Sequence, residues 1–301
     1  SGSGIANGAV LRTGTTFTTG RSLSLYGGDG VLEVTGASTT VTWGGFLYDS
    51  GRLSKAGAGT LILTNMNTHT GGTIVTDGVL QVSADYNLGG SGGLLTLQGG
   101  SLRTATSVTL GRNVAGSGGS LDTGSNNVAI TGTLTGTALT KTGTGSLTVA
   151  STSVADLNIG QGTVIIGDAA NFTSRVNFQG SGATLRLASG TLTMMSAVDV
   201  GNSGGTLSVD SGATLTLSSV TGPGGLTKTG AGTLSLGGAN SYTGGTTIDA
   251  GVLVIGTNAA LGDAAGGIVF NGGTLRTTAD VVMNRAIVLN ANSTIHTGAI
   301  L

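Results

Sequence analysis

The sequence predicts an all-β fold, a parallel β-helix of about fourteen coils with little or no helix. Three observations carry that expectation. Gly supplies 59 of 301 residues while Pro appears once and Cys never. Apolar residues alternate with Thr, Ser and Gly, as in Leu95-Thr96-Leu97, Leu185-Arg186-Leu187 and Leu215-Thr216-Leu217, which is the period-two signature of short half-buried strands. A long internal repeat runs through the chain: residues 53–104 align without a gap on 226–277, with 24 identities in 52 positions at an offset of 173.

Each part of the fold follows from these features. Glu occurs once and Lys three times, so the usual fillers of exposed helix faces are missing. Gly pairs and Asn/Asp-Gly steps bound the strands as turn chemistry requires. Repeat openings fall at Leu53, Leu139 and Leu226, and Leu11-Arg12-Thr13 marks a partial copy before 53. Coils of ~20–22 residues divide each period into about four. A single coil cannot bury its apolar face alone, so stacking is what creates the core. The near-absence of Pro fits, because interior strands donate their N–H groups to neighbours. The whole of 1–301 therefore reads as one β-helix.

Composition also excludes functions. Charged residues make up 8% and the formal net charge is −1, which leaves no electrostatic footprint for nucleic acid. Without Cys there are no disulfides, thiolate metal sites or cysteine nucleophiles. No cofactor, metal or catalytic residue is assigned. Ten of the twelve basic residues keep step with the repeat. Lys55, Lys141 and Lys228 share one position; Arg12, Arg103, Arg186 and Arg276 share a second; Arg21, Arg112 and Arg285 share a third. Recurrence at that period points to a framework role, solvating turns or pairing with neighbouring carbonyls.

The stretch Leu226-Thr-Lys-Thr-Gly-Ala-Gly-Thr-Leu-Ser-Leu, followed by Asn240-Ser-Tyr-Thr-Gly-Gly-Thr246 and Gly251-Val-Leu, resembles the passenger-associated transport repeat. A copy at 53–82 and a looser one at 139–166, where Asp156-Leu157-Asn158-Ile159 stands in place of the Gly-Gly-Thr step, match the same pattern. The resemblance implies a type V secreted passenger folded as a right-handed parallel β-helix. It implies export across a bacterial outer membrane through the protein's own C-terminal translocator β-barrel, outside this chain. The expected role is a surface-exposed structural stalk or adhesin whose partner is a host cell-surface or extracellular-matrix molecule. The alternatives are an export and folding segment without a ligand of its own, and a β-helix polysaccharide lyase or hydrolase.

Candidate sites are few. Gly-x-Ser-x-Gly occurs at Gly89–Gly93 and Gly201–Gly205, but a nucleophile elbow needs a strand-to-helix turn and no helix is expected. Asp49-Ser50-Gly51 and Asp210-Ser211-Gly212 lack the flanks of a protease nucleophile, and His69 and His296 read as turn positions. Five of ten aromatics lie in the first 48 residues, with Trp43, Phe46 and Tyr48 in one short run. They are candidates for ligand contact; packing inside a coil explains them as well. Loops that break the repeat are expected at 41–52, 83–92, 114–127 and 168–177.

Overall fold

The computed structural model describes residues 3–5, 8–167 and 172–297. The chain forms two compact units: Ser1–Thr148 with Ser153–Ala155, and Val149–Thr152 with Asp156–Leu301. Each is a parallel β-solenoid, and together they make about fourteen coils. Most strands have two to six residues, with longer ones at Val114–Asp122, Asn127–Thr142 and Ser146–Thr152, and the only regular elements other than strands among the described residues are two 3₁₀ turns, Asp85–Leu88 and Asn258–Leu261. Successive coils pair in parallel at offsets of 19 to 24 residues, from Leu95 on Val114 to Leu23 on Leu47.

In unit 1 the alternation seen in the sequence becomes columns of stacked side chains. Val41, Leu61, Leu80 and Leu102 form one inward column, and Trp43, Leu63, Val82 and Thr104 form the next. Their neighbours Thr42, Ile62, Gln81 and Arg103 point outward. In unit 2, Leu192, Leu215, Leu234, Leu253 and Leu275 stack in the same way. A fully buried Leu is worth about 1.5–3 kcal/mol. The repeated columns, with backbone N–H groups donating from coil to coil, are what hold each unit.

Two of the expected loops are regular. Residues 41–52 contain the strands Thr40–Trp43, Leu47–Tyr48 and the start of Arg52–Ala56. Residues 114–127 are mostly the strand Val114–Asp122, whose register on 127–142 slips around Ser117. Gly runs there signal close backbone approach rather than a break: a Cβ at Gly119 would lie 2.6 Å from the Gly100 carbonyl oxygen. Residues 83–92 hold the 3₁₀ turn and an exposed Gly-rich bend. In 168–177, residues 168–171 lie outside the described residues, and 175–178 is a strand.

Candidate functional site

The aromatic run at 43–48 turns a corner and splits. Trp43 ends an inward column, is 5% exposed, and lines a hollow of about 240 Å³ with Phe17, Leu32, Val41 and Leu61. Its indole Nε1 is buried without a hydrogen-bond partner. Gly45 packs against the Arg21 carbonyl, at a spacing no side chain could occupy. Phe46 then emerges on the outside, 46% exposed, and Tyr48 is half-buried beside Ser24 in register. Phe46 and Tyr48 therefore face outward while Trp43 faces the core.

Phe46 has companions that the sequence reading missed. The Thr68 amide donates to the Leu47 carbonyl and the Gly90 amide to the His69 carbonyl, which places 47 over 67 over 87 on consecutive coils. Phe46, Met66 and Tyr86 therefore occupy one outward position on three successive coils, spaced by the ~4.8 Å rung. Met66 and Tyr86 are each 53% exposed. Their polar neighbours are committed to the backbone. Asn67 accepts from the Leu47 amide and donates to the Asn87 carbonyl; Asn87 accepts from the Ala84 amide and donates to the Asn65 carbonyl. The spacing of 20 residues was a legible signal, and so was the mismatch of Met66 and Tyr86 with Ala239 and Ala259 in the aligned copy.

The recurring lysines are inside. Lys55, Lys141 and Lys228 are each fully buried, two residues after an inward Leu, and each bends its ammonium into the following turn. Lys55 Nζ donates to the carbonyls of Ala56, Gly57 and Asp77 at 2.9, 2.6 and 3.0 Å. Lys228 makes the same set with Thr229, Gly230 and Ala250. Lys141 bonds the Thr142 and Gly143 carbonyls and the Thr123 hydroxyl. Burial pushes all three down to about 8. The turn itself needs Gly: Gly57 and Gly230 have φ of +74° and +71°, and a Cβ there would meet the Val34 or Val209 carbonyl at 2.4 or 2.3 Å.

Two of the three third-position arginines, Arg112 and Arg285, clamp the 3₁₀ turns, whereas Arg21 is exposed. Buried Arg112 donates to the carbonyls of Asp85, Leu88, Gly89 and Gly93 and to the Asp85 carboxylate. Arg285 does the same for Asn258, Leu261, Gly262, Asp263 and Gly266. These and the lysines are the carbonyl partners that recurrence implied. The second-position arginines differ: Arg12, Arg103 and Arg186 pair with the carboxylates Glu33, Asp122 and Asp210 on the next coil. A bidentate bond from Arg186 holds the Asp210 carboxyl below its ordinary range.

The motifs weighed for catalysis are structural, and His296, expected in a turn, instead ends the exposed strand Thr294–His296, in register with Arg276. His69 is fully buried beneath Gly89, its Nε2 hydrogen-bonded to the Thr73 hydroxyl at 3.0 Å, which in turn donates to the Leu88 carbonyl, and its Nδ1 unpartnered. Burial pushes its imidazole down to about 4, with the Arg112 charge acting in the same direction. Tyr242 fills the equivalent place, its hydroxyl 2.6 Å from that of Thr246. Asp49 accepts from Ser24, and a strand rather than a helix follows both Gly-x-Ser-x-Gly runs. Among the described residues, no three His, Cys, Asp or Glu side chains gather as a metal-holding group.

Parallel strands form the coils of each unit, an internal ammonium staples each long repeat, and Phe46, Met66 and Tyr86 stand outward. The family model for the passenger-associated transport repeat matches residues 53–82 and 226–255. The chain is also 34% identical, over 86% of its length, to the Adhesin BmaC autotransporter of Brucella suis biovar 1 (strain 1330). It spans 8% of that relative's length. No solved structure matches the chain. The repeat match and the likeness support an autotransporter passenger with repeats and indicate export across the outer membrane to the cell surface. A passenger of this class implies a C-terminal translocator in the protein that carries it.

Proposed function

We propose that this chain is a stalk segment with adhesive surface, acting by binding to a host cell-surface or extracellular-matrix molecule and not by catalysis. The likeness to a relative named as an adhesin, spanning most of this chain, carries the reading. The physical logic supports it. Most basic side chains, the three lysines and Arg112 and Arg285 among them, are turned to backbone carbonyls or, as Arg186 is, paired with carboxylates, so the outward positions are left mainly to small polar residues and a few large apolar ones such as Phe46, Met66 and Tyr86. Saturable binding of the purified chain to host cells or immobilised matrix proteins tests it. A broad screen without saturable binding overturns it.

The repeats favour one further reading, a segment that promotes export and folding without a ligand of its own. The turn after Lys228 closes by bonds within two residues plus one to the next coil, so a coil locks as its successor arrives. Proline substitutions within Leu226–Gly251 lower the amount exported if this role holds. Unchanged export sinks it.

A further inference from the structure

The two copies of the long repeat share their turns but differ in what they present. In unit 1, Phe46, Met66 and Tyr86 make an apolar ridge over three successive coils. The same three positions in unit 2 are Ser219, Ala239 and Ala259, stacked by the Ser241 bond to Val220 and the Asp263 bond to Tyr242. There, Ala239 and Ala259 border an open hollow of about 570 Å³ whose floor includes Leu236, Val254 and Ile255. One copy carries large side chains where the other carries a space.

We propose that the Met66–Tyr86 ridge of one chain seats in the Ala239–Ala259 hollow of a second copy, giving head-to-tail self-association. Period is the first argument for a second copy over any other occupant. Ridge and hollow each span consecutive coils at the same rung spacing, so their steps are commensurate. Chemistry is the second. The amides beside the ridge are spent on the backbone, which leaves it apolar contact to offer, and every residue lining the hollow is uncharged. The third is charge. A net of −1 over 301 residues gives copies almost no mutual repulsion. Because ridge and hollow are different surfaces, the contact is heterologous and can propagate.

Sedimentation of the purified chain over a wide concentration range, without host material, tests this separately from adhesion. The wild-type mass rises with concentration. Met66→Ala/Tyr86→Ala, which removes the ridge, and Ala259→Tyr, which fills the hollow, each weaken association about tenfold or more. Both substitutions are at exposed positions, and circular dichroism confirms that the variants fold. Mixing the two variants restores a complex that stops at two chains, because one retains the hollow and the other the ridge. A wild-type chain monomeric at every concentration overturns the proposal. So does association equally strong in both variants, or a mixture that forms no complex.

Discussion

At the scale of single residues, three positions do work that their residue types do not announce. A lysine is normally a surface residue, yet Lys228 is fully buried with three carbonyls around its ammonium. Lys228→Met leaves those acceptors without a donor and lowers stability by about 2–4 kcal/mol, read by chemical denaturation. Gly57→Ala places a Cβ against the Val34 carbonyl at positive φ, and costs about 1–3 kcal/mol by the same measurement. His69 sets a pH dependence. Its imidazole stays neutral in the folded chain down to about 4, whereas an unfolded His takes a proton near 6.5. Between those values the unfolded state binds more protons, so stability is complete above pH 6.5 and falls as the pH drops towards 4, by on the order of 2–3 kcal/mol. The charge acting on it is Arg112, which is itself paired with the Asp85 carboxylate. His69→Tyr, copying Tyr242, removes this slope from thermal melts recorded across that range.

At the scale of elements, the 3₁₀ turns are the most dependent on one residue. Segment 85–93 has few buried apolar side chains of its own, and Arg112 holds four of its carbonyls. Arg112→Met therefore frees the segment while the strand Val79–Val82 beside it stays paired on both sides. Hydrogen exchange shows amide protection lost at 85–93 and retained at 79–82. The outward ion pairs are different in kind. Arg12–Glu33 and Arg103–Asp122 are largely solvated and are worth 0–1 kcal/mol at most. Strand existence and coil spacing were legible in alternation and Gly steps. The regular geometry of 41–52 and 114–127 was not, because a Gly that permits a loop also permits two backbones to touch, as Gly45 and Gly119 do.

At the scale of the molecule, all three lysines are sealed by stacked coils. Amine-reactive reagents therefore leave Lys55, Lys141 and Lys228 unmodified in the native chain, and label them on unfolding, as peptide mass spectrometry of the digested protein shows. Labelling of native Lys141 at the rate of a free amine contradicts the buried assignment. The same architecture explains how two aligned repeats acquire different surfaces. Inward columns are constrained by their neighbours above and below, while an outward position such as 86 or 259 changes from Tyr to Ala without disturbing the carbonyls that join the coils.

Alternation and the long repeat pointed to the solenoid and to the recurrence of basic residues, because a stacked fold writes its one-dimensional repeat directly into the chain, while the motif residues of 226–253 carried the passenger resemblance. Tertiary structure decided where the charges went and which large side chains meet. Lys55 and Arg103 look alike as repeating cations, but one ends in a ring of carbonyls inside and the other on a carboxylate outside. Phe46, Met66 and Tyr86 are strangers in sequence and neighbours in space. The reason is that side-chain direction at a corner depends on the turn, and adjacency across coils depends on register, and neither is encoded by residue type.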